Sequence, residues 1–206
     1  MPSDRAPRFP KITEEALEAL RRRIGVRITD TLEPWCHEAT RDGIRHYAHG
    51  IGDDNPLWCD PDYAARARFG GIVAPPTMLQ TWDMRGFAMR DPSLIQNAQR
   101  DLHRIFDAHG YTGVVATDTE QEFHRYLRPG DVVTSETTIE SISEPKTTAL
   151  GAGYFVVTRT VFTDQNGEDV GWLTFRVLKF KPNQAQAAAQ PAAQPAPVTA
   201  SFSLLD

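Results

Sequence analysis

The sequence predicts an α+β fold in which a curved antiparallel β-sheet wraps around one mostly buried helix. Two observations support this class. Helical patterns, including one strongly apolar stretch, occupy the first half of the chain, whereas β-branched and aromatic residues dominate from about residue 113 to residue 181. Helices and strands are therefore grouped along the chain and do not alternate, which favours α+β over a parallel α/β sheet.

The first predicted element is an amphipathic helix that starts after Thr13. This threonine is a good N-cap, glutamates occupy the first turn of EEALEALRRRI, arginines occupy its last turn, and Gly25 stops it. A short strand, VRITDTLE, is expected to follow at residues 26–33.

Two further helices lie on either side of the loop GDDNPL. Thr40 caps the stretch RDGIRHYAHGIG, in which Ile44, Tyr47 and Ala48 fall on one face at helical spacing. After the loop, Asp60 caps a short helix that has a proline in its first turn and ends at a glycine pair.

The buried helix is expected within the stretch IVAPPTMLQTWDMRGFAMR. Pro76 suits the first turn of a helix, where its missing N–H group costs nothing. Apolar residues on more than one side predict that protein surrounds most of this helix. The side chains expected to be buried are Met78, Leu79, Trp82, Phe87 and Met89.

Residues 91–112 are polar with scattered apolar positions, and we interpret them as an inserted loop with a helical piece. Four strands are predicted after it: TDTEQEFHRY, DVVTSETTIESI, GYFVVTRTVFTD and EDVGWLTFRVLKF. The turn sequences RPGD, EPKTTALG and QNG separate these strands. Asn166-Gly167 is a good hairpin signal between the last two.

The chain of 206 residues is long enough for one domain with elaborations and short for two. Residues 1–11 are polar and proline-rich, and they are expected to be flexible. Residues 12–182 form the predicted domain. Residues 183–206 begin with an Ala/Gln/Pro run that cannot bury a core, so they are interpreted as a low-complexity tail or linker.

Charge and hydropathy exclude several classes of function. The net charge is −5 and the chain has no basic stripe, which argues against nucleic acid as a partner. No stretch is apolar enough to cross a membrane, and the N-terminus lacks the apolar centre of a secretory signal, so we expect a cytoplasmic protein. Cys36 and Cys59 are expected to be reduced structural thiols.

Two stretches identify a family resemblance. The segments YAHGIGDDNPLWCDPDYAARARFGGIVAPPTML and EFHRYLRPGDVV resemble the MaoC-like (R)-specific enoyl-CoA hydratases, and in particular their N-terminal dehydratase-type branch. The resemblance spans most of residues 12–181. It implies the hotdog fold, with an antiparallel sheet around a long central helix, and the pairing of two such domains into a double hotdog with substrate at the interface.

The same resemblance implies which residues carry the chemistry. Hydration of a 2-enoyl thioester needs a positioned water, acid and base groups, and donors that polarise the thioester carbonyl. In the resembling enzymes the Asp and the final His of Gly-Asp-x-Asn-Pro-Leu-His hold the water. Here the Asp is Asp53, the Asn is Asn55, and Trp58 stands where the His would be. An indole N–H donates a hydrogen bond but does not accept a proton at neutral pH.

A second departure lies in the segment that faces the thioester. Active members commonly read Ile-Ala-His-Gly there and direct the glycine amide at the thioester oxygen. The corresponding positions here are Pro75 and Pro76, which have no amide hydrogen. The N–H groups of Thr77 and Met78 remain, at shifted positions. We assign substrate binding to Asn55, Trp58, Val73, Ala74, Pro75, Pro76 and Thr77, and catalysis, without its histidine partner, to Asp53.

Several of these residues also have purely structural interpretations. Asp53 suits a loop brace, Asn55 before proline suits a turn, and Trp58 suits a space-filling residue or a subunit contact. His46 and His49 lie three positions apart on a predicted helix, but no third ligand accompanies them, so we predict no metal site. The arginines and the aspartate of RYLRPGD suit a solvated turn better than a coenzyme A phosphate site.

The resemblance therefore favours a degenerate subunit of a heteromeric 2-enoyl-CoA hydratase, similar to the larger subunit of the steroid enoyl-CoA hydratases. Such a chain completes an acyl-CoA tunnel for a bulky acyl group while a second hotdog subunit supplies Asp and His. No cofactor is expected beyond the coenzyme A of the substrate. One alternative is a self-sufficient homodimeric hydratase that uses Asp53 with His46, His49 or His124, and another is a non-enzymatic acyl-CoA-binding or scaffolding hotdog protein.

Overall fold

The computed structural model describes residues 12–27, 38–83 and 98–182. In these ranges no helix is long and apolar enough to cross a membrane, and Cys59 is a free thiol. Several predicted features lie outside the described residues: the flexible segment 1–11, most of the strand at 26–33, Cys36, the helical positions Phe87 and Met89, residues 91–97 of the inserted loop, and the tail 183–206.

The second half of the described chain forms one antiparallel sheet, as predicted. Its strands are β1 Gly113–Phe123, β2 Thr134–Ile142, β3 Lys146–Thr148, β4 Gly151–Thr163 and β5 Asp169–Phe180. The sheet order is β1-β5-β4-β2, and β3 also pairs with β4. Arg27, near the start of the predicted N-terminal strand, forms an isolated antiparallel bridge with Thr138 of β2.

A tight turn between β4 and β5 sets the register of the two longest strands. Asp164 accepts hydrogen bonds at Oδ1 from the N–H groups of Asn166, at 2.8 Å, and Glu168, at 3.0 Å. Gly167 has φ +79°, a left-handed conformation that strains other residues. This confirms the hairpin expected at Asn166-Gly167.

The three capped helices also form where the sequence places them. Their bounds are α1 Glu14–Arg21, α2 Arg41–Gly50 and α3 Pro61–Arg66. Thr13 accepts from the N–H of Ala16, and Thr40 accepts from the N–H of Gly43. Asp60 accepts from two N–H groups of the first turn of α3. Each cap satisfies donors that helix geometry leaves unpaired.

The apolar stretch after the two prolines forms a 3-10 helix, Pro76–Asp83, within the described residues. Met78, Leu79 and Trp82 are buried in it, as predicted. The indole of Trp82 packs against α2 at Gly43, where an added Cβ would lie 3.3 Å from the ring. The glycine therefore allows α2 to approach the 3-10 helix closely.

Two apolar clusters fill the space on the inner face of the sheet. The first, the loop cluster, joins α2, α3 and the Pro76–Asp83 helix to residues of the sheet such as Phe162 and Val170. The second joins α1 to the helix α4, Ala98–Ala108, through Leu20, Leu102 and Phe106. Helix α4 is the helical piece expected within residues 91–112.

Arg125, in the segment that follows β1, connects that segment to the distant turn between β4 and β5. Its guanidinium lies 2.7 Å from carboxylate oxygens of both Asp131 and Asp164, and the Asp164 side chain is 2% exposed. The prediction of a solvated RYLRPGD turn is therefore wrong for Arg125. No local pattern indicates Asp164 as the partner of Arg125, because Asp164 lies in the distant β4–β5 turn.

The Arg125 pairs predict a pH dependence of stability. Hydrogen bonds from Arg125 lower the pKa of Asp164 below its ordinary value of 3.8. The pKa of Asp131 is lowered as well: burial raises it, but hydrogen bonds from Arg125 and Arg128 outweigh that effect. Groups whose pKa falls on folding stabilise the fold above their unfolded pKa, and this stability is lost as the pH falls through the folded values. We expect the free energy of unfolding to fall steeply below about pH 4.

Urea titrations from pH 7 to pH 2.5 on the wild type and on Asp164→Asn check this expectation. The substitution should lower stability at pH 7 and flatten its dependence below pH 4. The matched control Asp62→Asn changes an exposed aspartate outside this contact. An unchanged acid slope in Asp164→Asn would contradict the assignment.

Candidate functional site

The GDDNPLW loop is folded tightly onto the end of α2. The N–H of Asp53 donates to the carbonyl of Ala48 at 2.9 Å. Asn55 then caps the 3-10 helix Pro56–Trp58, because its Oδ1 accepts from the N–H of Leu57 at 3.0 Å. These contacts agree with the structural interpretation of Asn55 as a turn residue. Asn55 is exposed.

Both oxygens of the Asp53 carboxylate accept hydrogen bonds from within the same loop. The indole Nε1–H of Trp58 donates to Oδ2 at 2.8 Å, and the N–H of Asn55 donates to Oδ1 at 3.1 Å. Within residues 12–27, 38–83 and 98–182, no histidine side chain is hydrogen-bonded to Asp53. Asp53 thus braces the loop through Trp58.

The Trp58 side chain is buried in the loop cluster, with 7% of its surface exposed. Its ring stacks with Tyr126 at 6.5 Å between centroids, and Tyr126 contacts Phe69 at 4.5 Å. These three rings connect the GDDNPLW loop, the end of α3 and the segment after β1. Trp58 therefore fills interior space and also fixes the position of the carboxylate.

The IVAPPT segment offers few free backbone donors. The N–H of Ala74 donates to the carbonyl of Leu127, and the N–H of Met78 donates to the carbonyl of Pro75. Pro75 and Pro76 have no N–H to offer. The Thr77 hydroxyl accepts from the Tyr47 hydroxyl at 3.1 Å, which ties the segment to α2.

A pocket of about 520 Å³ opens beside this segment. It shares Phe123 and Arg125 with a much smaller cavity that reaches Ala74, Pro75 and Pro76. Of the predicted site residues, Val73, Ala74, Pro75 and Pro76 line these two spaces, whereas Asp53, Asn55, Trp58 and Thr77 do not. The large pocket is lined by Arg68, Phe69, Val73, Phe123, His124, Arg125, Tyr126 and Arg128.

Sequence reasoning missed most of that pocket. Phe69 lies in ARARFGG and Phe123 in EFHRYLRPGDVV, so both fall within the segments that carry the resemblance, but neither was assigned to a site. They line the same pocket although they are far apart in the sequence. Arg68 lies within the motif region RARFGG, but its position gave no sign of a pocket. Arg128 was weighed as a ligand of a coenzyme A phosphate and as part of a solvated turn, and the turn was preferred. Its side chain donates to the carbonyl of Phe69 at 2.6 Å.

The histidines considered as partners of Asp53 are all exposed: His46, His49 and His124. The imidazole of His124 lies 3.3 Å from a carboxylate oxygen of Glu122. Within the described parts of the chain, no group of three histidine, cysteine or acidic residues is placed to hold a metal ion. The site thus offers an apolar and aromatic pocket with arginines beside a loop whose carboxylate is already engaged.

The chain is similar to known dehydratase and hydratase proteins. The model of the FAS1-like dehydratase domain region matches residues 24–171. A probable enoyl-CoA hydratase alpha subunit from Thermomonospora curvata is 40% identical over 148 residues, which are 71% of this chain and 46% of that protein. The 3-oxo-4,17-pregnadiene-20-carboxyl-CoA hydratase alpha subunit of Mycobacterium tuberculosis is 41% identical over 139 residues, which are 68% of this chain and 44% of that protein. The chain spans about half the length of these two relatives.

Solved structures show the same likeness. A chain of the ChsH1-ChsH2 complex from Mycobacterium tuberculosis superposes with a TM-score of 0.70 and 34% identity, covering 82% of this chain and 98% of that one. A MaoC-like dehydratase superposes with a TM-score of 0.59 at 24% identity, covering 91% of this chain and 52% of that one.

The bond between Trp58 and Asp53 predicts a stability effect. Trp58→Phe keeps an aromatic ring but removes the donor to a partly buried carboxylate, so we expect it to lower the free energy of unfolding by about 2 kcal/mol or more. Trp172→Phe is the matched control, because the Trp172 ring instead contacts Arg159 on the sheet, and we expect a loss below about 1 kcal/mol. Chemical denaturation measures both. Equal losses in the two variants would show that the Asp53 contact contributes nothing.

Proposed function

Because the chain belongs to the family of FAS1-like dehydratase domains and has the hotdog fold, we propose that it is the degenerate subunit of a heteromeric 2-enoyl-CoA hydratase. In this proposal it completes the acyl-CoA site, and a second hotdog subunit supplies the catalytic Asp and His. No cofactor is required beyond the coenzyme A of the substrate. The observation that carries the proposal is the hydrogen bond from Trp58 to Asp53.

The geometry of that bond explains why this chain is poorly equipped to hydrate an enoyl thioester alone. A general base must accept a proton from the attacking water within hydrogen-bonding distance. The Asp53 oxygens each already accept a hydrogen bond from the loop, and the indole that lies against one of them cannot take up a proton.

The thioester carbonyl lacks its expected donor as well. Stabilisation of the developing oxyanion depends on N–H groups fixed at the place where charge forms. Pro75 and Pro76 remove two N–H groups from the segment, and that of Met78 is satisfied by the carbonyl of Pro75. A partner subunit with an intact site would provide both the base and the donor.

The names of the two curated relatives support the proposal, since both are alpha subunits of hydratases. The solved relative with a TM-score of 0.70 is a chain of a two-component complex. The Mycobacterium tuberculosis relative acts on a pregnadiene carboxyl-CoA. We propose by analogy that the acyl group taken by this chain is also bulky and polycyclic.

The inner face of the sheet exposes an aromatic side chain that could contact a bulky acyl group. Phe175 on β5 is 41% exposed, although it lies opposite Thr158, which is buried. Thr119 of β1 lies on the other side of Phe175 in the ladder. This aromatic and threonine surface lies between the two apolar clusters and suits an acyl group that is mainly apolar with a few polar substituents.

The edge strand β1 is the surface that we propose for the second hotdog subunit. In the described sheet β1 pairs only with β5, so its other edge presents unpaired backbone groups. Asp118, Glu120 and Glu122 alternate along β1 on the outer face of the sheet, opposite Arg176, Thr174 and Trp172 of β5.

These acids favour a different partner over a second copy. Two copies that pair antiparallel through β1, with their helices on the same side, place outer-face acids of one strand opposite outer-face acids of the other. Like charges directly opposite each other destabilise a strand pair. A partner strand with basic or neutral residues at these positions avoids this cost.

Activity measurements on a reconstituted pair test the proposal. The partner is first identified by mass spectrometry of the intact complex that copurifies with this chain. We expect this chain alone to be inactive on 2-enoyl-CoA and the pair to be active. Asp53→Asn should change kcat/KM of the pair by less than about tenfold, whereas loss of a true general base typically costs about 10²- to 10⁴-fold.

Two results would contradict the proposal. Turnover by this chain alone that Asp53→Asn abolishes would indicate a self-sufficient homodimeric hydratase. Binding of acyl-CoA without turnover, even with every candidate hotdog partner present, would indicate a binding or scaffolding protein.

The charge pattern on β1 gives a separate prediction about assembly. Replacing Glu120 and Glu122 by Gln removes like charges from a homodimer, so we expect self-association to strengthen by about two- to fivefold for each acid replaced. Sedimentation velocity at low salt measures this. The control pair Glu15→Gln and Glu18→Gln makes the same charge change on α1. Unchanged self-association in the β1 variant, or an equal change in the control, would show that β1 is not the pairing edge.

A further inference from the structure

The large pocket beside the IVAPPT segment is positively charged although the whole chain is acidic. None of its eight lining residues is an aspartate or glutamate, and three are arginines. The chain as a whole has a net charge of −5. A positive pocket on an acidic protein indicates a specific anionic ligand, because the general field of the protein repels anions.

The three arginines do not contribute equally. Arg125 is neutralised by Asp131 and Asp164, each at 2.7 Å. The guanidinium groups of Arg68 and Arg128 form no ion pair with a carboxylate among the described residues, although the backbone N–H of Arg128 donates to Asp131 at 2.7 Å. Arg128 uses one N–H group on the carbonyl of Phe69, and Arg68 lies 5.2 Å from the centre of the Phe69 ring. Both therefore keep several N–H donors for a ligand.

Aromatic rings line the same pocket. Phe69 and Tyr126 are in contact at 4.5 Å, and Phe123 at the end of β1 is 37% exposed. Arginine forks bind phosphate oxygens in a bidentate manner, and aromatic faces stack on flat heterocycles. The combination suits a ligand that carries phosphates and a planar base. The volume of about 520 Å³ lies in the range of about 300–1,000 Å³ typical of small-ligand sites.

We propose that this pocket binds the phosphorylated adenosine end of the coenzyme A thioester, with Arg68 and Arg128 on the phosphates and the Phe69, Tyr126 and Phe123 rings beside the base. The proposal rests on the proposed function in one respect, namely that the substrate is a coenzyme A thioester. The shared wall at Phe123 and Arg125 leads from this pocket to Ala74, Pro75 and Pro76. The nucleotide would therefore enter beside the segment predicted to face the thioester.

The binding test uses adenosine 3′,5′-bisphosphate as the probe and the full chain, or its complex if one copurifies. Isothermal titration calorimetry compares the wild type with Arg68→Ala and Arg128→Ala. We expect each substitution to weaken binding by about tenfold or more, as for the loss of a charge-assisted hydrogen bond. Arg22→Ala is the matched control, because Arg22 is an exposed arginine at the C-terminal cap of α1 and is paired only with Glu18 among the described residues.

Three results would overturn the proposal. They are no binding of the bisphosphate to the wild type, an equal loss in Arg22→Ala, and binding of 4′-phosphopantetheine in place of the bisphosphate. The last result would assign the pocket to a carrier-protein thioester. Circular dichroism spectra of the three variants check that they remain folded. Arg68→Lys and Arg128→Lys, which keep the charge but lose the fork, should recover part of the affinity.

Kinetic measurements distinguish a failure of the pocket proposal from a failure of the hydratase proposal. The arginine variants should raise KM for a coenzyme A thioester but leave KM for the matching pantetheine thioester unchanged. Bisphosphate binding without hydration by any reconstituted pair would support the pocket and contradict the hydratase. Hydration with no sensitivity to Arg68 or Arg128 would support the hydratase and contradict the pocket.

Discussion

The hydrogen bond from the Trp58 indole to the Asp53 carboxylate organises the candidate site. It joins the end of α2 to the 3-10 helix Pro56–Trp58 and places the indole where it stacks on Tyr126. Tyr126 in turn positions Phe69, whose carbonyl accepts from Arg128. The wall of the large pocket is thus built outward from one donor and one acceptor. The Asp53 carboxylate is held by two hydrogen bonds from its own loop.

The extent to which the sequence could predict this structure follows from the range of each interaction. The caps at Thr13, Thr40 and Asp60 and the turn at Asn166-Gly167 depend on near neighbours in the chain, and all formed as predicted. The contact between Arg125 and Asp164 joins residues 39 positions apart. No local pattern encodes that distance, so the sequence suggested a solvated turn. The short strand β3 was missed because its three residues lie within a stretch that also has turn character.

The sequence predicted which residues belong to the candidate site, but it predicted their contacts only in part. The motif located Asp53, Trp58 and the two prolines, and the chemistry of indole and proline predicted a reduced catalytic capacity. The motif could not show that Trp58 bonds to Asp53, or that Val73 through Pro76 border a pocket while Thr77 does not. These facts depend on how α3 and the segment after β1 pack together. Arg68 and Arg128 meet at that same junction.

The position of β1 in the sheet has a consequence for how the chain folds. Strands β4 and β5 are joined by the tight turn at 164–168, whereas β1 reaches β5 only across the intervening β2, β3 and β4, with Gly113 opposite Phe180. Closing a long loop costs more entropy than closing a hairpin, so local pairings are expected to form first and β1 last. The strand proposed for the partner is then also the strand that is ordered latest. Assembly and the final step of folding would be coupled, and amide hydrogen exchange in β1 should slow strongly when the partner binds.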